Sequence, residues 1–200
     1  MARFYYAVKA GRNPGIYNSW DECEKEVREF KGAIYKKFRS IEEAQDFIKE
    51  GDVSLRPNAE LKENEMIAYV DGSFSLDTKT YSYGVVILTL KGKQTFSHRE
   101  KDIEMAQMRN VAGEIKGAMF AMDYAIKEGK KILYLYYDYR GIEDWAKGNW
   151  KANKKGTQEY KKYYESIKDK LYVVFIKVTA HSGVKYNEEA DKLAKEAIFK

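Results

Sequence analysis

The chain has 200 residues, of which 44% are hydrophobic and 17 are tyrosines. That is enough to build a core, so an intrinsically disordered protein is excluded. A net charge of +5 is compatible with a polyanionic partner without requiring one. One cysteine, Cys23, excludes an intramolecular disulfide framework and fits a reducing compartment. No stretch approaches the ~20 apolar residues of a membrane span, and Met-Ala-Arg-Phe opens no signal peptide. The expectation is a cytoplasmic protein with no membrane association and no obligatory protein partner.

In chain order, residues 3–9 read as a strand. Gly11, Asn13, Pro14 and Gly15 then form a turn cluster, and a short return strand begins at Gly15. Ser19 is a good N-cap for a helix over 20–30, with Glu22 completing a capping-box pattern. Residues 33–38 predict a third strand. Ser40 caps a second helix over 41–49, with Glu43 in the capping-box place. This is a compact ββαβα module over 1–50. Residues 51–65, GDVSLRPNAELKENE, lack apolar periodicity and read as a linker.

The third segment, 66–200, begins with strands at 66–75, 81–90 and 93–101. A long helix over 105–129 follows, its apolar stripe formed by Val111, Ile115, Met119, Met122 and Ile126. The continuous apolar run ILYLYY at 132–137 suits a strand buried on both faces. A short helix, a basic loop over 151–156, a helix capped by Thr157, a buried strand over 172–179 and a closing helix over 187–199 complete the chain. The predicted fold is α/β: a mixed five-stranded sheet flanked by helices, preceded by the small ββαβα module.

The chemistry starts at MIAYVDGSF, 66–74. Alternation puts Ile67, Tyr69 and Asp71 on one strand face, where the charge of Asp71 needs a hydrogen-bond network, a cationic side chain or a metal ion. Glu114 shares its helix face with Ala118, Ala121 and Ala125, small residues that let the helix approach a sheet. Asp138 follows the buried run at its carboxyl end, where open α/β sheets place their ligands. Asp191 lies one turn after Asn187 in the last helix. Each carboxylate alone reads as a surface residue or a helix cap. If the four converge, their mutual repulsion calls for cations, and hard oxygen ligands favour Mg²⁺ or Mn²⁺. Two such ions suit in-line phosphodiester hydrolysis. Between Arg140 and Lys170, nine Lys/Arg and five Asp/Glu are interleaved with Trp145, Trp150, Tyr160, Tyr163 and Tyr164. That pattern suits a nucleic-acid backbone, or equally an amphipathic helix with a basic outer face.

YVDGS, RNVAGE, YYD and VTAHSGVKYNEEADKLA, in this order across about 66–199, resemble type 1 ribonuclease H. The resemblance implies a metal-dependent endonuclease that cuts the RNA strand of RNA–DNA hybrids, with Asp71, Glu114, Asp138 and Asp191 as ligands of two Mg²⁺ ions. It also implies that His181 helps to deprotonate the attacking water or to release product. His98 reads as an ordinary strand residue. Gly72, Ser73 and Asn110 are the candidate contacts to substrate near the scissile phosphate. Residues 4–38, YYAVKAGRNPGIYNSWDECEKEVREF to YKKF, resemble the small RNA–DNA hybrid-binding domain that precedes some of these enzymes. That implies Trp20 and Tyr35 packed on DNA sugars, Lys36 and Lys37 on phosphates, and Tyr6 on the same surface. The interval from Asp138 to His181 is shorter than in members with a full basic protrusion, which shifts the expected substrate grip toward the N-terminal module. The rival readings are a hybrid-binding protein without catalysis, a nuclease of the same superfold that also cuts double-stranded RNA, and a strand-transfer or DNA-resolving nuclease.

Overall fold

A computed structural model describes residues 4–30, 33–41, 43–45, 47, 61–179 and 184–199. The chain divides into two compact units, 1–57 and 58–200. Among the described residues, no helix is long and apolar enough to cross a membrane.

The first unit contains β1 (Tyr5–Ala10), β2 (Gly15–Tyr17), α1 (Trp20–Val27) and β3 (Ile34–Phe38). The strands form an antiparallel sheet of order β2-β1-β3. Ser19 caps α1 as its position predicts, its hydroxyl accepting from the Glu22 N–H at 3.3 Å. The helix stops at Val27, before the expected Phe30. There the Arg12 guanidinium takes the carbonyls of Lys25 and Arg28 at 2.9 and 2.7 Å, and Glu29 turns to φ 59°. Val8, Cys23 and Val27 form the small core. Ser40 accepts from the Glu43 N–H, and positions 41, 43–45 and 47 are helical. The rest of the expected second helix and residues 51–60 of the expected linker lie outside the described residues.

The second unit contains β4 (Glu65–Ser75), β5 (Thr80–Thr89), β6 (Gly92–Glu100), α2 (Ile103–Ala106), α3 (Asn110–Lys127), β7 (Ile132–Tyr137), α4 (Gly141–Ala146), α5 (Lys155–Ile167), β8 (Tyr172–Lys177) and α6 (Lys185–Ile198). The five strands run in the order β6-β5-β4-β7-β8, antiparallel across β6, β5 and β4 and parallel across β4, β7 and β8. The tight hairpins join the antiparallel half, and helical crossovers join the parallel half.

Three local expectations are corrected. The single helix over 105–129 is two helices, α2 and α3, because Arg109 takes φ 53° and ψ −131° and breaks the repeat between them. The expected stripe is only partly buried: Ile115 and Met122 face the core, while Val111, Met119 and Ile126 pack at its margin. The contact surface is the small-residue side expected beside Glu114, with Ala112, Gly113, Gly117, Ala118, Ala121 and Ala125 all buried. Thr157 is not the cap of α5. It sits one turn in, where its hydroxyl accepts from the Lys154 N–H at 3.2 Å and donates to the Lys154 carbonyl at 2.8 Å.

The sheet is covered on both faces. On β4 the even positions Met66, Ala68 and Val70 join the core under α3, whereas Ser82 on β5 donates to the Ala194 carbonyl of α6 at 2.6 Å. Two helix–strand crossings are close enough to require glycine. A Cβ on Gly72 would collide with the Asn110 carbonyl and lie 2.5 Å from the Glu114 nitrogen. A Cβ on Gly84 would collide with the Ala190 carbonyl and lie 2.7 Å from the Ala194 nitrogen.

Candidate active site

The parallel ladder between β4 and β7 ends where Tyr69 registers with Tyr136. Two residues on, at the same level, come Asp71 and Asp138. Past the last pair the two strands stop bonding to each other, so Asp71, midway along β4, and Asp138, just past the carboxyl end of β7, stand at the mouth of the gap between them. The rings of Tyr69 and Tyr136 stack at 4.3 Å beneath it, and Tyr186 from α6 tilts against Tyr69 at 5.5 Å.

Glu114 reaches the same gap from α3. Gly72 allows that approach, and so does Gly113, where a Cβ would collide with the Ser82 carbonyl and lie 2.8 Å from the Gly72 Cα. Asp71, Glu114 and Asp138 each offer one oxygen, and these oxygens all lie within 4.8 Å of one another. The cleft around them measures about 660 Å³ and is also lined by Ser73, Arg109, Asn110, Tyr139, Asp191 and Lys195.

This cluster is electrostatically unfavourable as it stands. Asp71 is 9% and Glu114 4% exposed. Burial, then the neighbouring Asp138 charge, pushes the Asp71 carboxyl up to about 7, although the Gly72 N–H bonded to its Oδ1 at 2.7 Å works against the shift. Glu114 is pushed up to about 9 by burial first, then by Asp138 and Asp71. A hydrogen bond from the Tyr139 backbone offsets only part of this. Glu114 Oε2 is buried with no hydrogen-bond partner. A buried orphan acceptor among carboxylates, with open cleft beside it, has the donor set that a hard divalent cation takes. The residues present therefore fit a metal ion.

Asp191 lines the cleft but does not join the three clustered oxygens; its Oδ2 is bonded to Lys195 Nζ at 2.6 Å. Asn110 is exposed as the first residue of α3, and Ser73 is half-buried. Gly72 is buried, with its N–H already committed to Asp71. His181 lies outside the described residues. His98 is an exposed residue of β6, away from the cleft lining.

Sequence reasoning missed Gly84, Gly113, Arg109, Tyr139 and Lys195. The two glycines carried a signal, since glycine inside a strand or an apolar helix marks close backbone approach. Lys195, four residues after Asp191, carried one in its helical spacing. Arg109 and Tyr139 carried none. Tyr139 begins an aromatic wall, its ring 5.8 Å from Trp145, which in turn lies 5.8 Å from Trp150. Lys151 and Lys154 flank a second hollow of about 320 Å³ that shares Arg109 and Tyr139 with the cleft.

In the first unit, Trp20 lies 5.8 Å from both Tyr6 and Tyr35, and Trp20 and Tyr35 are 40% and 45% exposed, so the three rings form one aromatic patch at the surface. Lys37 Nζ lies 5.7 Å from the Tyr6 ring, on this side of the sheet. Lys36, next in the strand, points to the opposite face, toward the Phe38 ring at 5.4 Å.

Comparison with known proteins gives the same two parts. The family model described as Ribonuclease H1 N-terminal domain matches residues 4–48, and the one described as RNase H matches residues 63–199. Mouse Ribonuclease H1 is 25% identical over 96% of this chain and 88% of its own length. Ribonuclease HI of Synechocystis is 33% identical over 66% of this chain and 86% of its own. The chain aligns with only 13% of Saccharomyces cerevisiae Ribonuclease H, at 54% identity over 44 residues, and with 50% of the Schizosaccharomyces pombe enzyme. Among solved structures, RNase H1 from Halobacterium salinarum shares the fold at TM-score 0.56 and 20% identity, covering 68% of this chain and 98% of that one. LC11-RNase H1, solved in complex with RNA/DNA hybrid, does so at 0.52 and 17%, covering 66% and 99%. With more than half of its length matched by one family model, the chain belongs to the RNase H family.

Proposed function

We propose that this protein is a divalent-metal-dependent endonuclease that hydrolyses the RNA strand of RNA–DNA hybrids, leaving 5′-phosphate and 3′-hydroxyl ends. The observation that carries the reading is the trio Asp71, Glu114 and Asp138, closed to within 4.8 Å and left with an orphan buried oxygen, in a chain of the RNase H family. These three and Asp191 are the residues that would hold Mg²⁺, or Mn²⁺ in its place. When bound, a pair of such ions supplies activation of the attacking water and counter-charge for the departing 3′-oxygen.

The chain's own groups do the rest. Glu114 and Asp71, buried and repelling, hold a strong local demand for positive charge at one spot and so fix where the scissile phosphate docks. Ser73 and Asn110, on the cleft rim, face the RNA strand and its 2′-hydroxyls. His181 handles a proton at the attacking water or assists product release. Arg109, Lys151 and Lys154, with Trp145 behind them, offer cationic and stacking contacts to the partner DNA strand.

The division of labour we propose assigns hybrid binding to residues 1–50 and cleavage to residues 66–200, joined by 51–65. The patch of Trp20, Tyr35 and Tyr6 offers flat rings to deoxyriboses, where a 2′-hydroxyl would intrude, and Lys37, on the same side, binds a phosphate, whereas Lys36 on the opposite face takes no part in that contact. The single thiol, Cys23, is free and buried, which suits a cytoplasmic setting. The test is a gel assay of an RNA–DNA hybrid, a double-stranded RNA and a DNA duplex, each with Mg²⁺, Mn²⁺ or chelator. Cutting of the hybrid's RNA strand, abolished by chelator, is expected. Binding of the hybrid without metal-dependent cutting would leave only the binding role.

A further inference from the structure

Four candidate carboxylates line one cleft, yet only three gather. Asp71, Glu114 and Asp138 close to within 4.8 Å, while Asp191 Oδ2 is held by Lys195 Nζ at 2.6 Å. Both partners of that bond stand one turn apart on α6, and both line the cleft. The comparable one-turn pairs Lys147–Glu143 and Lys192–Glu196 lie away from it. Among the described residues, the cleft lining includes two cationic side chains, Arg109 and Lys195, and of these only Lys195 is bonded to a described carboxylate.

Resting on the metal-binding reading above, we infer that Lys195 is a resident counter-cation that holds Asp191 in the metal-free protein and yields it when divalent metal loads. Three properties of the pair suit this role. The ammonium is a point charge on a flexible stem, able to swing off without moving the helix. The Lys195 side chain is 58% exposed and that of Asp191 24%, so breaking the pair costs little and water solvates the released charge. And with Lys195 in place, the fourth carboxylate adds less repulsion to a trio that already contains an orphan buried oxygen. Lys195 is thus a positioning residue. It acts through Asp191, and it sets how readily the Asp191 side of the cleft takes a cation.

The experiment is Mn²⁺ titration of the full chain without nucleic acid, read by electron paramagnetic resonance. It compares wild type, Lys195→Met, Lys195→Arg, Asp191→Asn and the Lys195→Met/Asp191→Asn double variant. Lys195→Met is expected to bind Mn²⁺ about fivefold more tightly, the scale of one exposed ion pair. Lys195→Arg, which keeps the charge, should stay near wild type, and the gain should vanish in the Asp191→Asn background. Equal affinity in wild type and Lys195→Met, or a gain that survives Asp191→Asn, overturns the inference. Absence of Mn²⁺ binding to wild type would instead overturn the metal-binding reading itself, which keeps the two failures distinct.

Discussion

Glu114 holds a carboxyl group where burial and two neighbouring carboxylates all oppose its charge, and its pKa of about 9 in the fold stands far above the roughly 4.3 of the unfolded chain. Between those values the native form keeps a proton that the unfolded form has lost, so in the absence of metal, stability falls as pH rises across this window. Glu114→Gln removes the titration and keeps the shape. The metal-free variant is expected to be more stable than wild type at pH 8 by up to about 5 kcal/mol, with the gain fading toward zero near pH 4. Thermal melts in chelator at several pH values measure this, and a variant no more stable at pH 8 would contradict the charged-cluster account. Asp138 stands just past the strand end and is less buried than Glu114. Asp138→Asn should therefore fold and bind hybrid normally while losing more than about 10³-fold in cleavage rate. Wild-type-like turnover would remove Asp138 from the metal set.

At the scale of elements, the site depends on how closely two helices lie on the sheet. The Gly72–Gly113 crossing brings α3, and with it Glu114, down onto β4, and Gly84 does the same for α6 and Asp191. Gly72→Ala would insert a methyl group against helix backbone rather than against a movable side chain, so α3 must lift. The expected cost is about 1–3 kcal/mol of stability, together with weaker metal binding than wild type at equal folded fraction. Denaturant unfolding beside Mn²⁺ titration separates the two effects; unchanged metal affinity would show that Glu114 does not depend on this contact. The Arg109 break belongs here as well. A continuous helix from 105 onward would leave α3 with no free first turn at the cleft, whereas the kink starts it at Asn110.

For the whole molecule, the two units have separate cores and separate candidate tasks. Deleting residues 1–50 should lower hybrid affinity by about tenfold or more, the loss expected when one of two linked binding modules is removed. Metal-dependent cutting should persist. Binding titrations and cleavage assays on the truncated chain measure both, and loss of cutting from a chain that still folds would refute the assignment of tasks to the two parts.

Alternation in MIAYVDGSF, the apolar run ending at Asp138 and the alanines after Glu114 placed three of the four candidate carboxylates on an inward face or at a strand end, because strand and helix periods map sequence directly onto faces; that all four form one metal set was implied only by the family resemblance. The same periods predicted the mixed five-stranded sheet and the N-terminal sheet, element by element. Other features were beyond them. The helix break at Arg109 rests on a backbone conformation that no local pattern announces. The split of Lys36 and Lys37 to opposite faces shows that neighbours in a strand are not neighbours in space. Tertiary structure alone decided that β4 and β7 part after Tyr69 and Tyr136, so that Asp71 and Asp138 meet Glu114 across the gap while Asp191 stays with Lys195. Local sequence sets which way a side chain faces; only packing at ångström precision sets whether two such faces meet.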